Sequence, residues 1–357
     1  MNFSNFSKIY LTEDAISYPL AGKIIGKCKN AKISYVKSPR ELYFKPALNP
    51  EFIDESKHSL FLTARHENFL EKCPGTKENL CCNYFVTKNV LGCPADCSYC
   101  YLQAYLNKKA ITIFVNTPDF FADFEEKANS GHFRIGTGEF SDSLFLDGLI
   151  DVNKTLVEIC SKSKSLLELK TKSNSVEKLL GLNHRGKTVI AWSVNPRKTA
   201  DSEEKGSSNL EERIAAAKKC ADDGYHIALH FDPLIYSPGW EKDYEETIEK
   251  IFAVIPARKI IWVSIGAFRF YPQMKPVMRA RFPASKILCG EFTACSDGKF
   301  RYLKFIRLKM FGTITALLQK FDRNMRIYFC MESGEIWRRT FSHLPSEIKN
   351  LDLIFKN

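Results

Sequence analysis

The sequence predicts an α/β fold, a partial (β/α)6 barrel of the TIM type with an N-terminal extension and a C-terminal hairpin and helical addition. From residue 83 to about residue 285, short β-branched or aromatic runs alternate with longer amphipathic stretches, a pattern typical of a parallel sheet. Before residue 83 there is no strong period, and after residue 285 the pattern changes. We therefore expect an extension over 1–82, the barrel over 83–285 and a basic region over 286–357.

Six strand–helix units are expected, which is too few for a closed eight-stranded barrel. Asn209 can cap one helix, because its side chain can accept a hydrogen bond from the first turn, and Gly224 can end that helix. The predicted strands are 84–90, 133–136, 166–172, 188–194, 226–231 and 260–265. The predicted helices are 143–161, 174–182, 209–224 and 243–255.

The basic charge favours an acidic partner such as nucleic acid. The net charge is +11, and residues 296–357 hold twelve Lys/Arg against six Asp/Glu. Asp297-Gly298 between two strand-like runs predicts a hairpin. One arm interleaves basic and aromatic side chains, so Arg301, Tyr302 and Lys304 are candidates for phosphate contacts and base stacking. The alternative is an amphipathic strand with one solvated face.

A cytoplasmic location is expected. The N-terminus shows no basic stretch followed by an apolar run, and no apolar segment approaches the roughly 20 residues of a membrane helix. In a reducing compartment, cysteines indicate metal sites or reactive thiols more often than disulfides. Most of the twelve cysteines need no special role. Five isolated cysteines are expected to be small buried side chains: Cys28, Cys160, Cys220, Cys289 and Cys330. Three others lie just before the motif but lack the spacing of metal ligands: Cys73, Cys81 and Cys82.

Cys93, Cys97 and Cys100 form a Cys-x3-Cys-x2-Cys motif after the first predicted barrel strand. Three thiolates on one loop can hold three corners of a 4Fe–4S cluster, whereas a structural zinc site needs a fourth ligand. An iron without a protein ligand can chelate S-adenosylmethionine. The motif resembles the radical S-adenosylmethionine superfamily, and the alternative is a zinc site completed by a distant His or Cys.

Polar residues at the next strand ends are candidates for binding S-adenosylmethionine, because ligand groups gather at the carboxyl ends of parallel barrel strands. The segment 135–143 ends the second strand, where the superfamily often carries a Gly-Gly-Glu-like element, and Glu139 or Ser141 could accept from an ammonium group. Lys172 could bind a carboxylate and Ser193 a hydroxyl. A strand-to-helix turn, a solvated lysine and a strand serine are the alternatives.

The extended motif Cys-Pro-x-x-Cys-x-Tyr-Cys-Tyr-Leu-Gln at 93–103 closely resembles the spore photoproduct lyase family. The resemblance covers most of 84–320. It implies a radical enzyme that reverses a thymine–thymine crosslink in ultraviolet-damaged DNA, with flavodoxin or ferredoxin as electron donor. By position it places Cys93, Cys97 and Cys100 on the cluster, assigns S-adenosylmethionine contacts to Ser141, Lys172 and Ser193, and puts Tyr99 and Tyr101 near the radical. Without the family, both tyrosines would be packing residues.

One departure from the family affects the expected reaction. The lyases use a cysteine at the end of the second strand as hydrogen-atom donor, and this chain has Glu139 there. Either Tyr101 or a thiol from elsewhere donates, or the enzyme acts on another substrate such as RNA, a nucleotide or a peptide. A non-catalytic cluster or zinc protein that binds nucleic acid is a third hypothesis.

Overall fold

The computed structural model describes residues 3–45, 49–76, 78–348, 351 and 354. Within these residues, no helix has the length and apolar character needed to cross a membrane. The strands are β1 Lys8–Leu11, β2 Lys32–Tyr35, β3 Ser59–Thr63, β4 Leu70–Lys72, β5 Phe85–Thr87, β6 Val90–Leu91, β7 Asp96–Cys97, β8 Ile111–Phe114, β9 Arg134–Gly136, β10 Leu166–Thr171, β11 Thr188–Ser193, β12 Glu204–Lys205, β13 His226–Leu234, β14 Ile260–Ala267, β15 Arg269–Phe270, β16 Phe292–Ala294, β17 Phe300–Tyr302 and β18 Ile327–Phe329. The α-helices are α1 Pro19–Lys27, α2 Glu51–Lys57, α3 Leu102–Tyr105, α4 Thr117–Asn129, α5 Asp147–Ile150, α6 Asn153–Ser161, α7 Arg197–Glu203, α8 Leu210–Asp222, α9 Trp240–Val254, α10 Met274–Arg281, α11 Lys304–Gln319 and α12 Gly334–Phe341.

The central sheet is the predicted partial barrel, with strand order β18-β14-β13-β11-β10-β9-β5-β4. All six predicted strands are present, and every residue of β11 is buried, as expected for a parallel strand covered on both faces. Two additions were not predicted. β18 pairs in parallel with β14 through Val263 and Ile327, and β4 pairs antiparallel with β5. Both strands have only three residues, too few to show a period.

Three of the four predicted barrel helices are present: α8 and α9 as single helices, and the third as two shorter helices. Asn209 caps α8 by accepting from the Glu212 amide at 2.8 Å, and Glu212 accepts in return. The predicted helix 143–161 is divided into α5 and α6, because Asp151 adopts a left-handed conformation between them. The helix predicted at 174–182 is wrong. The hydroxyls of Ser208 and Ser173 accept from the amides of Asn174 and Ser175 there, and these side-chain bonds replace the helical pattern with turns.

The N-terminal part contains a sheet that the sequence pattern did not reveal. Its order is β2-β1-β3-β8-β6, with its own apolar core around Ile9, Ile24 and Leu60. β6 ends two residues before Cys93, and β8 follows α3. The chain segment with the cysteine motif therefore leaves this sheet and returns to it, which anchors the cysteine loop at both ends.

The hairpin at Asp297-Gly298 is confirmed, since the Cys295 amide donates to the Lys299 carbonyl at 2.9 Å and β16 pairs with β17. The prediction that one arm of this hairpin offers Arg301 and Tyr302 to nucleic acid is wrong, because both side chains are buried. Arg301 and Tyr302 are 3% and 0% exposed, and Arg301 binds the Asp297 carboxylate at 2.6 Å. The arm ends there, because Lys304 begins α11 and pairs with Glu335. Further basic residues of α11 are also ion-paired: Arg307, Lys309 and Lys320.

Candidate functional site

The cysteine motif opens onto a cavity of about 350 Å³ at the carboxyl ends of the barrel strands. Cys93, Cys97 and Cys100 all line it, together with residues that lie in or shortly after β9, β10, β11, β13, β14 and β18. The cavity is thus enclosed by strand ends and loops from across the sheet. This is the edge of a parallel barrel at which ligands bind.

Backbone geometry and a lysine from the N-terminal part position the first cysteine. Gly92 has a φ of +108°, and a Cβ there would lie 3.3 Å from Ile111, so glycine is needed immediately before Cys93. The Lys57 ammonium donates to the carbonyls of Cys93 at 3.0 Å and Ala95 at 2.7 Å. The Gly92 backbone and the Lys57 side chain therefore fix the position of this part of the loop.

The second half of the loop is held by Gln103 and Arg281. The buried Gln103 amide donates to the carbonyls of Cys97 at 3.0 Å and Ser98 at 2.9 Å. Its oxygen accepts from the Arg281 guanidinium, which also binds the Asp96 carboxylate at 2.9 Å. Because α10 supplies Arg281, the C-terminal end of the barrel also fixes the loop.

The three cysteines fit an iron–sulfur cluster better than a single zinc ion. Burial raises the pKa of Cys93 to about 12 and that of Cys97 further, so both need a bound cation to become thiolates. Among the described residues, no three His, Cys, Asp or Glu side chains are arranged to hold one metal ion. A structural zinc ion would need a fourth ligand beside these three thiols. Three cavity-facing thiols on one loop are the donor set that a 4Fe–4S cluster with one open iron requires.

Lys172 and Ser193, predicted separately from two strand ends, meet in the cavity. The Lys172 ammonium donates to the Ser193 hydroxyl at 2.6 Å and lies 3.8 Å from the Glu204 carboxylate. Glu204 is fully buried and also binds the Arg213 guanidinium at 2.6 Å. Burial disfavours the Glu204 anion, but Lys172 and Arg213 outweigh burial and lower its pKa to about 2. The site therefore holds a fixed negative charge that orients Lys172.

The two tyrosines of the motif have different partners. The Tyr99 hydroxyl donates to Glu204, and the Asn195 amide donates to Glu204 at 2.9 Å. The Tyr101 hydroxyl donates to the Glu139 carbonyl at 3.0 Å on the opposite side of the loop. Burial, and then Glu139, raises the pKa of Tyr101 well above its usual value, which keeps its hydroxyl protonated.

The loop after β9 also reaches the cavity. Ser141 lines it and is 8% exposed. Glu139 lines it too, but its carboxylate pairs with the Lys170 ammonium at 3.2 Å. Next to them, Asp142 accepts from the Lys172 amide at 2.7 Å. Asp142 thus joins the loop to the strand end that carries Lys172.

The far wall of the cavity is polar, although its residues were not predicted. The buried Glu168 carboxylate lies 2.8 Å from the His230 imidazole and 3.5 Å from the Arg134 guanidinium. Burial opposes ionisation of Glu168, but Arg134 and His230 outweigh it and lower its pKa to about 2. Asp232 binds Arg269 at 3.0 Å on the same wall. Each carboxylate on this wall is paired with a basic side chain, so the wall can form hydrogen bonds with a ligand while its charges largely cancel.

Three thiols other than the motif cysteines line the cavity: Cys73, Cys82 and Cys330. The expectation that Cys330 is only a buried packing residue is therefore wrong, because the segment after β18 brings it beside Arg269 at 3.4 Å. Cys289 is exposed, also contrary to expectation, because it lies in a short 3₁₀ turn at the surface. Cys28, Cys160 and Cys220 are buried as expected.

Sequence reasoning missed the residues that support the predicted ones. Asn195 belongs to the Trp-Ser-Val-Asn segment, so its place at a strand end was a usable signal. Glu204, Arg213 and Lys57 gave no such signal. A glutamate after a helix, an arginine within one and a lysine in the N-terminal part are ordinary surface residues by sequence.

Comparisons with known proteins identify similar sequences and a similar structure. A family model described as spore photoproduct lyase matches residues 5–332. The spore photoproduct lyase of Clostridium acetobutylicum is 25% identical over 332 residues, which is 91% of this chain and 96% of that protein. That of Bacillus subtilis is 28% identical over 293 residues, 79% of this chain and 84% of that protein. A solved spore photoproduct lyase, complexed with dinucleoside spore photoproduct, superimposes with a TM-score of 0.77 at 24% identity, covering 91% of this chain and 100% of that chain.

Proposed function

Because the chain belongs to the spore photoproduct lyase family, we propose that it reverses the thymine–thymine photoproduct in ultraviolet-damaged DNA. Enzymes of this family are radical S-adenosylmethionine lyases, and this chain takes their cofactors, a 4Fe–4S cluster and S-adenosylmethionine. The observation that carries the proposal is the convergence of three thiols, Lys172 and Ser193 on one cavity. Membership of the family favours this substrate over the alternative of RNA, a nucleotide or a peptide.

The cofactor contacts in this proposal follow from the cavity lining. Cys93, Cys97 and Cys100 would hold the cluster, which would supply the electron for reductive cleavage of bound S-adenosylmethionine. Lys172 is positioned for the carboxylate, since Ser193 and Glu204 hold its ammonium in the cavity. Ser141 and Ser193 offer hydroxyl groups to the remaining polar groups. Glu139 remains a candidate for the ammonium group, in competition with Lys170.

A cytoplasmic enzyme is part of the proposal. The twelve cysteines are free thiols in the structure, which suits a reducing compartment. An electron carrier such as flavodoxin or ferredoxin would reduce the cluster there.

We assign hydrogen-atom donation to Cys73, because Glu139 cannot replace the family's cysteine. Cys73 lines the same cavity as Glu139 and Tyr101. A thiol suits the task because its S–H bond is weak. Burial is the first cause that raises the pKa of Cys73 far above its ordinary value, so the thiol keeps its hydrogen at neutral pH. Tyr101, whose hydroxyl donates to the Glu139 carbonyl at 3.0 Å, passes a hydrogen between Cys73 and the cofactor in this proposal.

The test of the proposed function is an anaerobic assay. Reconstituted protein, reductant and S-adenosylmethionine are incubated with ultraviolet-irradiated DNA, with undamaged DNA or without DNA. We expect 5′-deoxyadenosine in the presence of damaged DNA, together with recovered thymine. Formation of 5′-deoxyadenosine without thymine recovery from damaged DNA would overturn the substrate and leave the radical chemistry. No 5′-deoxyadenosine under any condition would overturn both.

Replacement of Cys73 with alanine should separate radical formation from repair. We expect 5′-deoxyadenosine to form at nearly the normal rate, while thymine recovery falls by about tenfold or more, equivalent to ~1.4 kcal/mol in the barrier of the last step. Cys330→Ala is the matched control, because Cys330 lines the same cavity. If Cys330→Ala lowers thymine recovery and Cys73→Ala does not, the assignment to Cys73 is wrong.

A further inference from the structure

Cys81 and Cys82 form a pair of adjacent thiols on the connection between β4 and β5, outside the machinery described above. Cys81 is exposed, whereas Cys82 is partly buried and lines the cavity. The pair therefore joins the protein surface to the cavity wall.

The surroundings of Cys81 keep its sulfur at the surface and close to Cys82. A Cβ added at Gly75 would lie 3.4 Å from the Cys81 sulfur, so the loop containing Cys73 packs directly against it. The hydrogen bond from Cys82 is the first cause that lowers the pKa of Cys81 to about 7, with burial and the nearby Cys73 and Cys330 acting in the opposite direction. About half of the Cys81 side chains are then thiolates at neutral pH.

We propose that Cys81 and Cys82 form a reversible redox site, in which Cys81 reacts with a low-molecular-weight disulfide such as oxidised glutathione and Cys82 completes an intramolecular disulfide. This site goes beyond the proposed function and does not depend on it. Within the described residues, Cys81 and Cys82 belong to no group of side chains arranged for a metal ion.

The reaction balances in two exchange steps. The Cys81 thiolate attacks oxidised glutathione, which forms a mixed disulfide and releases one glutathione thiolate. The Cys82 sulfur, as its proton is lost to solvent, then attacks the Cys81 sulfur and releases the second glutathione. The two cysteines lose two electrons and oxidised glutathione gains them. Adjacent Cα atoms are about 3.8 Å apart, below the usual 4.4–6.8 Å of disulfides, so the product is strained and easily reduced again.

Oxidation of Cys81 and Cys82 would also change contacts inside the cavity. The Cys82 sulfur lies 2.7 Å from the Arg134 guanidinium, which donates to the Tyr328 hydroxyl at 3.1 Å and pairs with Glu168. A bond to Cys81 turns the Cys82 sulfur toward the surface and removes this contact. Arg134, Glu168 and Tyr328 all line the cavity, so the disulfide changes the wall that faces the substrate.

The test uses the full chain without its cofactors, treated with oxidised glutathione at pH 7 and mapped by peptide mass spectrometry. We expect a Cys81–Cys82 disulfide in the wild type and a glutathione adduct on Cys81 in Cys82→Ser. At pH 7, a thiol of pKa about 7 has a larger thiolate fraction than an ordinary thiol of pKa about 8.5, but each thiolate is a weaker nucleophile. The larger thiolate fraction outweighs the weaker nucleophilicity, so Cys81 should react about threefold faster than an ordinary thiol. Dithiothreitol should restore both thiols.

Cys289 is the matched control, because it is exposed and lies away from the cavity lining. Cys289→Ser should form the Cys81–Cys82 disulfide as the wild type does, and Cys81→Ser should not. In the reconstituted enzyme, oxidised glutathione should inactivate the wild type, and dithiothreitol should restore its activity. Cys81→Ser should have normal basal activity and should not be inactivated by oxidised glutathione. Damage to the cluster would affect both proteins equally. Faster modification of Cys289 than of Cys81, or a Cys73–Cys81 linkage, would overturn the proposal.

Discussion

Replacement of Cys97 with alanine is expected to abolish the iron–sulfur absorption of the reconstituted protein and its formation of 5′-deoxyadenosine. Cys97 lies in β7, between Cys93 and Cys100, and Gln103 holds its carbonyl. Two remaining thiols on this loop cannot hold a cubane whose fourth iron is open. Iron analysis, the visible absorption spectrum and product quantification by chromatography measure the result.

Cys220→Ala is the control for this variant. Both cysteines are buried, but Cys220 lies on α8 and does not line the cavity. We expect Cys220→Ala to cost about 1 kcal/mol of folding free energy and to retain full iron content. Full iron content in Cys97→Ala would contradict the assignment of this residue as a ligand.

Replacement of Glu204 with alanine should cause the largest loss of stability among the polar residues of the site. The fully buried Arg213 guanidinium would lose its carboxylate partner, and Lys172, Tyr99 and Asn195 would lose a shared acceptor. Removal of one partner of a buried ion pair costs about 3–5 kcal/mol, because it leaves an uncompensated charge. Urea unfolding of the protein without its cofactors measures the change.

Glu211→Ala is the matched control, because Glu211 makes an exposed ion pair with Lys250 at 3.2 Å. Surface pairs contribute roughly 0–1 kcal/mol, so this variant should unfold at nearly the wild-type urea concentration. A loss below about 1 kcal/mol in Glu204→Ala would mean that Arg213 finds another partner, contrary to its contacts in the folded protein.

The same carboxylate makes stability depend on pH. The pKa of Glu204 falls to about 2 in the folded protein, because Lys172 and Arg213 outweigh burial. A depressed folded pKa means that the stabilisation is fully present above the ordinary value of about 4.3. It is lost as pH falls from there toward the folded value. Glu204→Gln should therefore show a weaker loss of stability over this acidic range than the wild type does.

Elements with local signals were predictable from the sequence. The spacing of Cys93, Cys97 and Cys100 is fixed within one loop, so the residue order alone is enough to recognise it. The helix at Asn209 carries its own cap, and the six strand segments carry their own β-branched runs. The prediction at 174–182 failed because side-chain hydroxyls there compete for the backbone amides. That competition involves Ser208, which is distant in the sequence.

The amino-acid sequence is enough to specify a strand–helix barrel carrying a three-cysteine loop, because caps, turns and ligand spacing act over a few residues. The groups that surround that loop are set by tertiary packing alone. Tyr99 meets Glu204 across 105 positions, and Arg281 meets Asp96 across 185. Tertiary packing also buries Arg301, a sequence-based candidate for contacts with nucleic acid, and brings Cys73 into the cavity that Tyr101 lines. Such contacts depend on how the whole sheet curls, so no local pattern encodes them.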